Sequence, residues 1–117
     1  MLKEDYVSFE TAELLKEKGF DWKCEYCYDV ANDNPYSNAN YQVSYPKPTL
    51  QMAMKWLREM YNISIEPLVD FGNGNEYWWA VDVAYIKKNG LIDELCGYKT
   101  YEEACEAAIK YCLENLI

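Results

Sequence analysis

The sequence predicts an α+β fold: an antiparallel sheet of about four strands with three helices, in the order αββαββα. Two observations carry this expectation. Three segments hold helical apolar stripes, and each opens on a Ser or Thr followed by an apolar residue, a Glu or Gln, any residue, and Ala: Ser8-Phe-Glu-Thr-Ala12, Thr49-Leu-Gln-Met-Ala53 and Thr100-Tyr-Glu-Glu-Ala104. Between them lie short aromatic and β-branched runs broken by Gly, Asn and Pro, the pattern of hairpins. The repeated opening admits a duplicated hairpin-plus-helix unit, although good N-caps alone produce the same likeness. At 117 residues the chain fits a single compact domain, 1–117.

The first helix is expected from Ser8 to Lys18, with Gly19 just past its end and Phe9, Ala12 and Leu15 as its inward stripe. Phe20 and Trp22 cover that end of the core. Residues 24–30, CEYCYDV, read as a strand, and 41–44 as its partner across a long Asn-, Pro- and Tyr-rich turn. In the second helix Leu50, Ala53, Met54, Leu57 and Tyr61 recur at helical spacing. Met52, Trp56 and Met60 widen that stripe, so this helix should touch more than one neighbour. Ile63-Ser64-Ile65 alternates as a strand does, and Pro67 marks a bulge or an edge. Gly72-Asn-Gly-Asn75 is a hairpin turn, because Gly and Asn accept positive φ. The strand EYWWAVDVAYIKK follows and ends at Lys88-Asn89-Gly90. The last helix begins at Thr100, with Glu103 completing a capping box. It turns Tyr101, Ala104, Cys105, Ala108, Ile109, Cys112 and Leu116 inward.

Half of the residues are hydrophobic, twelve are Tyr and four are Trp, so a disordered chain is excluded. Twenty acidic against eleven basic residues give a net charge of −9. Such a surface repels phosphate backbones and anionic lipid, which argues against nucleic-acid or membrane binding and leaves open a basic protein partner or mimicry of nucleic-acid charge. Met1-Leu2-Lys3-Glu4-Asp5 leads into a polar helix pattern without an apolar segment before it. The five cysteines have no framework spacing. Both features predict a cytoplasmic protein.

Cys24 and Cys27 form one closely spaced pair. A structural metal site needs four ligands, normally in two such pairs, and the chain holds no His to complete it. A redox pair sits at a helix N-terminus, whereas this one lies in a strand. We therefore expect two strand residues, no metal and no cofactor. The absence of His also removes the usual general base, and no phosphate loop or nucleophile elbow appears. Alternation puts Tyr77, Trp79, Val81, Val83 and Tyr85 on one strand face, and Trp78, Ala80, Asp82, Ala84 and Ile86 on the other. Asp82, between two alanines with Trp78 nearby, is the candidate floor of a shallow pocket, or else a carboxylate on a half-exposed face. The segment from Ala31 to Pro48 places Tyr36, Tyr41 and Tyr45 among four Asn, two Ser and three Pro. Tyr with Asn and Ser is the mixture of antibody loops, which makes these tyrosines the candidate contact residues. The alternative is a polar loop whose tyrosines fold back on the core. The Met/Trp face of the second helix would serve as a homodimer seam or be buried under the sheet.

Residues 6–20 (YVSFETAELLKEKGF), 48–66 (PTLQMAMKWLREMYNISIE) and 101–117 (YEEACEAAIKYCLENLI) together resemble a family of small uncharacterised proteins encoded by phages and prophages of gut bacteria. The resemblance implies a phage or prophage setting inside a host cell, and carries over no activity and no site residues. The combined expectation is a non-enzymatic phage accessory protein that binds a host or phage protein. The alternative is a small-molecule protein that takes up a host metabolite with Trp78 and Asp82 in its pocket.

Overall fold

The computed structural model describes residues 5–31, 42–87 and 90–117. Among them the chain runs α1 (Phe9–Glu17), β1 (Tyr26–Ala31), β2 (Gln42–Lys47), α2 (Leu50–Tyr61), β3 (Ile63–Phe71), β4 (Tyr77–Tyr85), β5 (Gly90–Tyr98) and α3 (Tyr101–Asn115). The α+β class is as expected. Two details of the arrangement differ: there are five strands, and they form two antiparallel sheets, β1–β2 and β3–β4–β5.

Each helix begins at the predicted hydroxyl. The side chains of Ser8, Thr49 and Thr100 accept the backbone N–H of Thr11, Met52 and Glu103, satisfying a donor that has no partner inside the helix. The expected capping box is altered, since Glu103 Oε2 accepts the N–H of Lys99, one residue before the cap, at 3.2 Å. Asn62, in the left-handed region at φ 56°, closes α2 and turns the chain into β3.

The unexpected strand is β5. Its core-packed residues Ile92, Leu95 and Tyr98 recur every third position, whereas a regular strand has period two. Two register shifts reconcile the spacing. Trp79 pairs with Tyr98 while Ala80 pairs with Cys96, and Val83 pairs with Asp93 while Ala84 pairs with Leu91. Gly97 and Ile92 are the extra residues of two β-bulges, and Gly97 has the φ of +91° that such a position favours in glycine. Each bulge returns an apolar side chain to the helix side.

α3 lies at the centre. It packs on α1, on α2 and on all three strands of the larger sheet. Its inward stripe of Ala104, Cys105, Ala108, Ile109, Cys112 and Leu113 is fully buried, and its small residues permit close approach from several sides. In α2, Trp56 is buried with Leu57, and its ring stands edge-on to Phe20 at 5.3 Å and Tyr61 at 5.2 Å. α1 turns Thr11, Ala12 and Leu15 inward. Phe9, expected with them, is 37% exposed and lies on the flank of α1, edge-on to Tyr28 and Tyr45 of the small sheet at 5.6 and 5.2 Å.

One polar clasp ties the two ends of the chain together. Glu106 Oε1, from α3, accepts the Ser8 N–H at 3.0 Å and the hydroxyl of fully buried Thr11 at 2.6 Å. The hydroxyl of Thr11 would otherwise be an unpaired donor in the core. Replacing Trp56 by Ala should cost about 3–5 kcal/mol in urea unfolding, the range for emptying a buried aromatic site. Lys55→Ala, one residue away on the exposed side, should stay within about 0.5 kcal/mol.

Candidate functional site

The helices cover one face of β3–β4–β5 and leave the other bare. The covered face carries Ile63, Ile65, Val81, Val83 and Leu95, all in the core or packed against it. The face without helices carries Trp78, Ala80, Asp82 and Ala84 of β4, as their alternation predicts, and of these Ala80 is itself fully buried. Asp82 lies directly opposite Glu66 on one side and Glu94 on the other, so three carboxylates form a row across the sheet. It borders a shallow hollow of about 290 Å³ with Ser64, Glu66, Ala84 and Leu91. Trp78 does not join that hollow. It stands four residues along the strand, roughly 13 Å away at a strand's rise, and its ring lies close against Gly72, where a Cβ would come within 3.0 Å of it.

Of the three candidate tyrosines, Tyr36 and Tyr41 lie outside the described residues. Tyr45 is half-buried in β2 and packs back on α1. Its ring meets Phe9 edge-on, and the Lys16 ammonium sits 4.8 Å from its centre.

Cys27 lies within β1, while Cys24 lies just before it. The Cys27 thiol donates to Asp29 Oδ1 at 3.5 Å, and this bond holds its pKa above the usual value. Burial does the same for Cys24, whose thiol donates to the Trp22 carbonyl. Both shifts run opposite to those of a reactive thiolate. Cys105 and Cys112 are core residues, pushed by burial up to about 11 and about 12. No group of three Cys, Asp or Glu among the described residues is placed to hold a metal ion.

Two features were not apparent from the sequence. The first is the far end of the β3–β4 hairpin. The helical layer stops at Trp79, which meets Tyr101 of α3 edge-on at 5.5 Å. The next cross-strand pair outward on the same face is Phe71 and Tyr77, which are 80% and 62% exposed. Their exposure depends on where α3 begins relative to the hairpin, and the strand sequence does not record that.

The second is a cleft of about 550 Å³ beside the first turns of α3. Tyr6, Tyr28 and Tyr98 wall it, and Asp5, Glu102, Glu103 and Glu106 supply its charged groups. The Tyr28 hydroxyl is fixed by donation to the Val7 carbonyl at 2.6 Å, and its pKa is raised by burial and by the charge of Glu106. These residues come from both ends of the chain and from two sheets, so no local sequence pattern could have announced them. Comparison of the chain with protein-family models, with curated proteins and with solved structures finds no match.

Like charges directly opposite each other on a sheet are destabilising, so Asp82→Asn should raise stability by about 0.2–1 kcal/mol in urea unfolding. A loss of that size would instead mark Asp82 as holding a structural contact. The thiols give a second expectation. Near pH 8, iodoacetamide should modify exposed Cys27 and Cys96 in the native protein and leave Cys105 and Cys112 untouched until urea is added. The folded-state pKa values of those two are raised, so their stabilising contribution is complete below about 9.0 and is lost as pH climbs toward about 11 and 12. Melting temperatures of the parent and of Cys112→Ala across that range would show it as a shallower decline in the variant.

Proposed function

We propose that the protein is a non-enzymatic accessory protein of a phage or prophage, acting in the host cytoplasm by binding another protein. The observation that carries the binding reading is the uncovered Phe71–Tyr77 pair. Two large aromatic side chains stand side by side at the end of a hairpin, beyond the reach of any described helix. Rigid aromatics at such a position supply contact area at low entropic cost, and a large exposed apolar pair marks an interaction site more often than a scattered single residue does. Trp78 and the bare sheet face continue the same end of the molecule, and Tyr36 and Tyr41 belong to the proposed contact set. The phage setting is supported by the resemblance of residues 6–20, 48–66 and 101–117. No helix among the described residues is long and apolar enough to cross a membrane, in keeping with a protein partner rather than a bilayer.

The volume of the acidic cleft falls within the range of small-ligand sites and favours a second reading, a protein that takes up a host metabolite.

The double variant Phe71→Ser/Tyr77→Ser should reduce capture of partners from host lysate by tenfold or more, the effect of removing about 1.4 kcal/mol of contact energy. Its melting temperature should hardly change, because both residues are already exposed. A variant that sediments as a smaller species than the parent would move the pair from a partner interface to a homodimer seam. Unchanged capture would refute the assignment.

A further inference from the structure

We infer that the aromatic cleft beside α3 is the seat for a basic side chain, an arginine or lysine, presented by the protein partner. The inference rests on the protein-binding reading and adds to it the chemistry of one anchor. Tyr6, Tyr28 and Tyr98 furnish π-faces, and four carboxylates, Asp5, Glu102, Glu103 and Glu106, share the cleft with them. No Lys or Arg side chain lines it among the described residues.

Two of the carboxylates are committed: Glu106 Oε1 to Ser8 and Thr11, and Glu103 Oε2 to the Lys99 N–H. Asp5 and Glu102 have no ion-pair partner among the described residues. Their charge is therefore available to a ligand, while the two fixed acids add to the field.

The Lys47 ammonium stands 5.1 Å from the centre of the Tyr6 ring and 5.0 Å from that of Tyr28, within cation–π reach, without itself lining the cleft. An anion finds no comparable support. The N-terminus of α3 is occupied by its own Thr100 cap and by Glu102 and Glu103 in the first turn. The cleft is open rather than enclosed, and its form suits a side chain delivered from a partner's surface. A flat guanidinium can lie on a tyrosine face while its edge reaches a carboxylate, so arginine should be preferred.

The test is an amide NMR titration of the full chain with a blocked peptide, Gly-Gly-Arg-Gly-Gly, against the same peptide carrying neutral citrulline. The arginine peptide should shift the amides of residues 5–8, 98 and 102–107, less so at higher salt, and the citrulline peptide should not. Tyr98→Leu should weaken binding about 2- to 30-fold, the span of a cation–π contact. Glu102→Gln, at an exposed position that does not threaten folding, should weaken it roughly two- to fivefold. Equal shifts from citrulline, no shift at the cleft, or no effect of Glu102→Gln would each overturn the inference. Tetramethylammonium shifting the same amides as strongly as the peptide would overturn the partner side chain as the source and make the cleft a small-cation site. Shifts confined to Phe71–Trp78 would remove the cleft and leave the protein-binding reading standing. No partner captured from lysate, with the cleft still binding the peptide, would remove that reading instead.

Discussion

Burial of the α3 stripe is the constraint on which the rest of the structure depends. Helices α2 and α3 lie on the larger sheet, and α3 is the element touching α1, α2, β3, β4 and β5 together. A helix with so many neighbours needs small residues where they approach and larger ones where gaps remain. Ala104, Cys105 and Ala108 meet the first need, and Ile109 and Leu113 the second. The Glu106 clasp then fixes α1 against α3 by accepting from the Ser8 N–H and from the hydroxyl of buried Thr11. α1 in turn carries the β1–β2 sheet, which has no ladder to the larger one.

A single helical layer has consequences for the surface. One sheet face is left bare, and the β3–β4 hairpin extends past the point where α3 begins. The residues that would be core under a longer helix, Phe71 and Tyr77, are exposed instead. The cleft lies where α3, the segment before α1, Tyr28 of β1 and Tyr98 of β5 come together. Both proposed contact regions thus arise where the packing of α3 runs out, and both lie on a molecule of net charge −9. In the proposed complex the charge would favour a cationic partner at long range, and the aromatics would act at contact.

Much of the fold was legible because the signals were local. Ser8, Thr49 and Thr100 cap the helices they were expected to cap, and the stripe of α2 is buried apart from half-exposed Tyr61. The alternation along β4 separates a covered face from a bare one as it should. β5 escaped notice because its two bulges give Ile92, Leu95 and Tyr98 a spacing of three, in a stretch that also contains two glycines and two acids. Asn89-Gly90, a dipeptide that favours tight hairpin turns, was the available clue to a strand after β4. Phe9 has the spacing of an inward residue, but the rings of Tyr28 and Tyr45 hold it on the flank of α1.

By itself, the sequence determined the class of the fold, the starts of its helices, the core role of Cys105 and Cys112, and a net charge of −9. Those properties follow from periodicity, capping and charge, which act over a few residues or sum over the whole chain. Only the tertiary structure decided which aromatics are left uncovered, that Trp78 and Asp82 stand apart, and that Tyr6, Tyr28, Tyr98 and Glu102 share one cleft. Those depend on where α3 begins relative to the hairpin and on contacts between residues many positions apart, and such distances are set by packing rather than by any neighbouring residue.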